Sequence, residues 1–147
     1  MNIALERIAN MRDGKLNLSN LGLTELPQLV FEDPSTLVIL ICGFNQLTEL
    51  PQLPSTLKEL YCSGNQLTEL PQLPSTLVHL YCNGNQLTEL PQLGSEGTPS
   101  TLVHLYCMDN RLTELPQLPS TLVHLYCRGN QLTELPQLPS TLTHLYC

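Results

Sequence analysis

A unit of about twenty residues recurs along almost the whole chain and limits the folds open to it. Written from its first leucine, the unit reads L-x-x-L-x-C-x-x-N-x-L-T-E-L-P-Q-L-P-S-T. Its cysteines are Cys42, Cys62, Cys82, Cys107, Cys127 and Cys147, spaced 20, 20, 25, 20 and 20 residues apart. Because a unit this short cannot bury its own leucines, the units must stack in register and share one continuous core. The sequence therefore predicts a repeat solenoid.

Each unit divides into a short strand and a return segment. In the unit that reads V-H-L-Y-C at residues 123–127, alternation places the leucine and the cysteine on one face and His124 and Tyr126 on the other. The return segment carries Pro136 and Pro139, which exclude a helix and favour extended polyproline II structure. Stacked units therefore predict a parallel β-sheet on the concave face and extended proline segments on the convex side.

The repeated motif resembles that of the leucine-rich repeat family, whose hallmark is L-x-x-L-x-L-x-x-N/C-x-L in units of 20–29 residues. The resemblance runs from Leu16 to Cys147. The 20-residue length and the L-P-Q-L-P ending are similar to the short bacterial subtype found in secreted effectors of the YopM and IpaH kind. This resemblance implies the leucine-rich repeat fold, and it implies little about function.

The chain is expected to divide into an N-terminal capping helix, residues 1–15, and a repeat region of about six units, residues 16–147. Insertions at 30–33 and 94–98 fall at the same point of the repeat, on the outer side, where a loop bulges away from the stack. We expect the second insertion to be a polar spacer and Phe31, in the first, to plug the N-terminal end of the core.

The first residues predict a short helix that caps the exposed end of the leucine core. Roughly helical spacing relates Ile3, Leu5, Ile8 and Met11. Terminal repeats need such a cover, and we expect Gly14 to end the helix.

An asparagine follows the strand in most units. These residues are Asn45, Asn65, Asn85, Asn110 and Asn130. A buried amide supplies two donors and an acceptor to turns that cannot pair their own backbone groups, so stacked copies predict a hydrogen-bond ladder. Gly64, Gly84 and Gly129 precede three of these asparagines and suit a turn with unusual dihedral angles. Phe44 and Asp109 interrupt that pattern, so we expect those turns to differ.

Side chains alternate along each strand, and the cysteines fall on the same face as the buried leucines. All six cysteines are therefore expected in the interior, as a column of small apolar side chains. The first residues include acidic Glu6 and no apolar signal segment. We therefore expect free thiols in a reducing, cytoplasmic setting, or in the host cytosol if the chain is a secreted effector. The ~4.8 Å strand spacing argues against disulfides between adjacent units, and cysteines in line do not converge on a zinc ion.

The strand positions that alternate with these leucines and cysteines carry aromatic and imidazole side chains, which are expected to line the concave face. The candidate partner-binding residues are Tyr61, Tyr81, Tyr106, Tyr126, Tyr146, His79, His104, His124 and His144. Glu59, Ile39 and Ile41 continue these columns toward the N-terminus. Tyrosine combines contact area with a polar tip and is enriched in binding hot spots. Side chains repeated in every strand are equally typical of a ladder that only stabilises the sheet, so both interpretations stay open.

Two columns of titratable groups carry expectations of their own. Imidazoliums ~4.8 Å apart repel, which predicts histidine pKa values below ~6.5 and a stability that falls as the pH drops. Neighbouring histidines could share a transition metal, but no carboxylate ligand lies beside the four, so we expect adventitious binding and no physiological metal site. A glutamate column predicts a solvated rim and comprises Glu25, Glu49, Glu69, Glu89, Glu114 and Glu134.

Composition and motifs exclude several classes of function. Only 13% of residues are charged and the net charge is −7, which argues against nucleic acid and anionic membrane surfaces as partners. No Ser–His–acid arrangement, phosphate loop or convergent acid pair is evident, so we expect neither catalysis nor a cofactor. The leading hypothesis is a module that binds a protein partner through the concave face. The alternatives are a structural or consensus-engineered scaffold, and the recognition part of a bacterial effector whose catalytic domain lies outside this chain.

The final strand reaches Cys147 without a polar capping unit. An unpaired edge strand and an uncovered row of leucines favour edge-to-edge association. We therefore expect a concentration-dependent homodimer through the final repeat.

Overall fold

A computed structural model of the chain describes residues 2–28, 36–93 and 100–147. The two insertions predicted from the sequence, and Phe31 within the first, lie outside the described residues, so the expectations about them stay predictions. Within the described ranges, no helix is long and apolar enough to cross a membrane.

Seven short parallel strands form one sheet in chain order within the described residues. They are β1 (Lys15–Asn17), β2 (Ile39–Ile41), β3 (Glu59–Tyr61), β4 (His79–Tyr81), β5 (His104–Tyr106), β6 (His124–Tyr126) and β7 (His144–Tyr146). Each strand pairs in register with the next, so that Leu80 stands opposite Leu105. The strands are shorter than predicted, yet pairing extends past them, since the backbone of Cys127 donates to Tyr146 at 2.7 Å. The predicted leucine-rich repeat solenoid is confirmed.

The core is a continuous ribbon of leucine and cysteine that runs the length of the stack. The central leucines of β2 to β6 are fully buried, namely Leu40, Leu60, Leu80, Leu105 and Leu125. Further buried leucines come from the return segments, such as Leu47, Leu67 and Leu87. Burying one leucine stabilises the fold by roughly 1.5–3 kcal/mol. A single unit offers only a few such residues, and this is why neighbouring units must stack.

The predicted asparagine ladder is confirmed. The amide of Asn65 donates to the carbonyls of Cys42 and Cys62 at 3.1 and 3.0 Å, and its Oδ1 accepts from the backbone of Leu47 at 3.1 Å. Asn85 repeats the pattern one unit later, on Cys62, Cys82 and Leu67. Each amide therefore ties its own turn to the turn of the preceding unit.

A second ladder, of threonines, was not predicted. Oγ1 of Thr76 donates to the carbonyls of Ser55 and Leu57, both at 2.8 Å. Thr101, Thr121 and Thr141 make the equivalent pair of bonds in later units. The recurring Ser-Thr before each strand is the sequence signal for this ladder, since a hydroxyl at the end of a return segment can reach the neighbouring turn.

The expectation of different turns at Phe44 and Asp109 was wrong. Both residues adopt the left-handed backbone, with φ of 55° and 53°, as Gly64 does with φ of 67°. The stack imposes one turn on every unit, because the turn must carry the asparagine to the same ladder. The ring of Phe44 lies over Gly64, where an added Cβ would come within 2.8 Å of it.

The N-terminal helix α1 spans Ile3–Ala9. It begins where the Asn2 side chain accepts from the backbone of Ala4 at 2.9 Å, and it ends at Asn10, before the predicted stop at Gly14. Ala4 enters the core, whereas Ile3 and Leu5 stay 56% and 41% exposed. The helix caps the core, as predicted, but only some of its apolar residues face the leucines.

The last unit departs from the expected pattern of free, buried thiols. Cys127 and Cys147 form a disulfide, with a Cα–Cα distance of 4.7 Å, and Cys147 is exposed. The prediction that strand spacing disfavours such a pair was wrong, because in-register neighbours already lie within the Cα–Cα range of a disulfide, roughly 4.4–6.8 Å. The prediction of free, buried thiols is confirmed for the other four cysteines, which are Cys42, Cys62, Cys82 and Cys107.

Candidate partner-binding face

The five tyrosines and four histidines singled out from the sequence share one side of the sheet, here called the Tyr/His face. The strand register brings each tyrosine beside the next. From Tyr61 to Tyr126 the ring centroids are 4.5–4.7 Å apart and the planes differ by 7–18°. Tyr146 is 6.0 Å from Tyr126 and tilted by 47°. The column is therefore regular through β6 and loosens at β7.

The histidines form a second, parallel column. Successive centroids from His79 to His144 lie 4.5, 4.4 and 4.2 Å apart. His104 and His124 stack within 17° of parallel, while the outer pairs are tilted by 43° and 52°. The imidazoles are half-buried except at His144, which is exposed.

A few polar contacts join the columns. The hydroxyl of Tyr61 donates to Oε2 of Glu59 at 2.8 Å, and Oη of Tyr106 lies 3.4 Å from Nδ1 of His124. At the far end, Nη1 of Arg128 donates to Oη of Tyr146 at 2.5 Å.

Burial and crowding shift pKa values on this face. Burial first, and then repulsion from His79 and His124, lower the pKa of His104 below its usual 6.5. The predicted direction is confirmed for His104, but partial burial contributes more than the predicted repulsion. Burial, the hydrogen bond to Glu59 and the charge of Glu59 raise the pKa of Tyr61 to about 12. The phenol of Tyr61 therefore stays a neutral hydrogen-bonding group at any physiological pH.

The cysteine column carries no reactive thiol signature. Burial raises the pKa of Cys42 and of Cys107 to about 12, and it raises those of Cys62 and Cys82 well above the ordinary value. A thiol that cannot ionise is a poor nucleophile and a poor metal ligand. Across the described ranges, no group of three or more His, Cys, Asp or Glu residues is placed to hold a metal ion.

A cavity on the convex side was not predicted from the sequence. It has a volume of about 1110 Å³ and is lined by the return segments of several units. Prolines and buried leucines such as Pro54 and Leu53 form its walls, and the glutamines Gln52, Gln72 and Gln92 border it. The repeated L-P-Q-L-P could have indicated a grooved surface, but its depth depends on how the units stack.

Comparison with known proteins agrees with this architecture. The family described as Leucine Rich repeats (2 copies) matches residues 55–95. The sequence comparison with curated proteins gave no match.

Solved structures match over nearly the whole chain. YopM from Yersinia enterocolitica WA-314 is 43% identical with a TM-score of 0.87, covering 97% of this chain and 31% of its own. The structure of a Shigella effector LRR domain is 37% identical with a TM-score of 0.85, and the match covers 98% of this chain and 64% of that structure. YopM, a leucine-rich effector protein from Yersinia pestis, is 31% identical with a TM-score of 0.56, and the match covers 98% of this chain and 52% of that structure. The chain thus spans about a third to two thirds of these structures, and it has the leucine-rich repeat fold.

Proposed function

We propose that the chain is a non-catalytic protein-interaction module that binds its partner through the Tyr/His face. The continuity of the tyrosine column carries this proposal, since half-buried rings follow one another at 4.5–4.7 Å from Tyr61 to Tyr126. Stacking already restricts these side chains, so a partner that covers them loses little side-chain entropy. The likeness to bacterial effector repeat domains supports the same function.

The charge distribution and the relatives extend the proposal. A net charge of −7 disfavours nucleic acid and anionic membranes and favours a protein partner. The effector structures of Yersinia and Shigella suggest the recognition part of a longer effector, acting in the cytoplasm of a host cell.

One observation favours a second candidate, a scaffold whose columns serve only the sheet. The ring of Tyr106 is stacked on both sides, 4.5 Å from Tyr81 and 4.5 Å from Tyr126. The faces of these rings are therefore covered by their neighbours, and only edges and hydroxyls are offered to a partner.

A pull-down with the purified chain as bait distinguishes the two. The test variant combines Tyr81→Ala, Tyr106→Ala and Tyr126→Ala, and the control combines Glu69→Gln, Glu89→Gln and Glu114→Gln on the exposed rim. The single variant Tyr106→Ala repeats the comparison with less loss of stacking, and thermal melting shows that each variant is folded. We expect the tyrosine variants to lose partners that the rim variant keeps. Equal recoveries would favour the scaffold.

A further inference from the structure

The Tyr/His face changes in character from one end of the sheet to the other. On β2, Ile39 and Ile41 occupy the positions that carry histidine and tyrosine in later strands. From β4 to β7 every strand carries imidazole and phenol at these positions, and exposed Arg128 follows β6. From β2 to β7 the face therefore changes from apolar side chains to hydrogen-bond donors and proton-accepting groups, and β1, beyond β2, carries Lys15 and Asn17 at the same positions.

Acidic groups are scarce on this face. Glu59 is the single carboxylate within the seven strands of the described chain. It stands opposite His79 in the register and already accepts a hydrogen bond from Tyr61. Asp109 lies outside the strands, in the turn after β5. A carboxylate that approaches the strands from β5 to β7 therefore meets imidazole and phenol rather than another acid.

The histidines leave one nitrogen for a partner. Nδ1 of His124 lies 3.4 Å from Oη of Tyr106, and Nδ1 of His144 lies 2.8 Å from Oγ1 of Thr143. Nδ1 of His79 is buried and has no hydrogen-bond partner among the described residues. In these three rings Nε2 is the nitrogen that remains available. The guanidinium of Arg128 contacts Tyr146 through Nη1, which leaves other N–H donors for a second acceptor.

We propose, resting on the binding function proposed above for the Tyr/His face, that its partner is an extended acidic protein segment. Apolar residues of the segment lie over β2, and its carboxylates lie over β5 to β7. The distance from β2 to β7 is five strand spacings, ~24 Å, which about seven extended residues span. Carboxylates complement imidazolium and guanidinium donors through charge-assisted hydrogen bonds.

This arrangement links binding to pH. Burial and the neighbours His79 and His124 lower the pKa of His104 in the free chain, whereas a bound carboxylate favours the charged imidazolium. Protons are therefore taken up on binding, and affinity rises as the pH falls. The other charged groups on the strands and turns beside the column are Lys58, Glu59, Asp109 and Arg128. The side chain of Asp109 lies over Gly129, next to Arg128, and the tyrosine phenols flank the column throughout.

Selection from a random peptide library on the full chain at about pH 6, where histidine titrates, tests this proposal. The first variant combines His104→Gln, His124→Gln and Arg128→Gln, and Arg12→Gln controls for loss of an exposed charge away from the face. We expect peptides recovered on the native chain and on Arg12→Gln to be rich in Asp and Glu, and this enrichment to be lost on the first variant. An exposed ion pair changes an equilibrium by up to about fivefold. Two ion pairs between peptide carboxylates and imidazolium groups therefore predict that the peptides bind up to about 25-fold more tightly at about pH 6 than at about pH 8. Fluorescence anisotropy measures these affinities.

Selection on the variant with Tyr81→Ala, Tyr106→Ala and Tyr126→Ala separates the two proposals. Peptides that need these tyrosines, yet lack acid enrichment and bind equally at both pH values, overturn the acidic segment while the binding function stands. Peptides that bind the tyrosine variant as well as the native chain overturn the binding function itself.

Discussion

The asparagine ladder predicts that one amide in the middle of the stack stabilises the fold more than the same amide at its end. We consider Asn85→Ala and Asn130→Ala. Asn85 is 8% exposed, and its loss leaves the backbone N–H of Leu67 without its acceptor. The carbonyls of Cys62 and Cys82 keep a second donor, from Asn65 and Asn110. One orphaned buried donor costs about 1–3 kcal/mol and two lost hydrogen bonds about 1 kcal/mol each, so we expect Asn85→Ala to lower the free energy of unfolding by about 3–5 kcal/mol.

Asn130 makes equivalent bonds, to Cys107, Cys127 and Leu112. It is only half-buried, so water can replace part of what the substitution removes, and we expect a loss of about 1–2 kcal/mol.

Urea unfolding followed by circular dichroism measures both losses, with the exposed Gln66→Ala as a control that should change little. The slope of each transition must be compared as well, because a repeat array can unfold from one end. Equal losses at both asparagines would contradict the expected effect of burial, whereas a loss below about 1 kcal/mol at Asn85 would show that the ladder contributes specificity of the turn rather than stability.

The remaining predictions concern titration, backbone strain, thiols and association. Because the folded pKa of His104 is lowered, its stabilisation is complete above the unfolded value of ~6.5 and is lost as the pH falls through the folded pKa; His104→Gln should flatten the melting temperature across that range. Phe44→Gly should raise the free energy of unfolding in urea by about 1 kcal/mol, because glycine adopts the left-handed backbone, φ 55°, without the cost of a Cβ. Asp109→Gly should raise it less, because Asp tolerates this conformation better than Phe. Thiol labelling of the native chain should leave the four buried cysteines unmodified, and denaturation without reductant should expose four thiols rather than six. The 147-residue polypeptide should self-associate through β7, where Leu145 and Tyr146 are 44% and 46% exposed; a clean monomer by sedimentation at high concentration would contradict this.

The interior could be predicted because the repeat leaves little choice. In a strand of three residues, one side chain faces inward and its two neighbours face outward, so a repeated leucine places Leu80 inside and His79 and Tyr81 outside. The asparagine ladder follows in the same way, since a polar residue repeated beside the core must be paired with its neighbours. The stacking on the Tyr/His face also follows from register, whereas its use by a partner does not.

The missed features depend on particular neighbours rather than on the period. The left-handed backbone at Phe44 is imposed by the units on either side, although the residue itself disfavours it. The pairing of Cys127 with Cys147 occurs in the final unit, where Cys147 is exposed while the other cysteines are buried. The face of α1 that meets the core depends on where the helix docks, and spacing alone could not show that Leu5 would stay exposed.

A perfectly regular face could not hold a partner in one position. Identical columns present the same groups every ~4.8 Å, so a partner could slide by one unit at little cost. Register requires residues that break the repeat, and specificity requires that a shifted partner lose something. On the Tyr/His face these breaks are Ile39 and Ile41 on β2, Glu59 on β3, and Arg128 after β6. A shift of one unit in either direction would move the apolar residues of the segment off Ile39 and Ile41, and a shift of two units toward β1 would place a carboxylate against Glu59. These irregular positions, more than the columns, would therefore set where a partner sits.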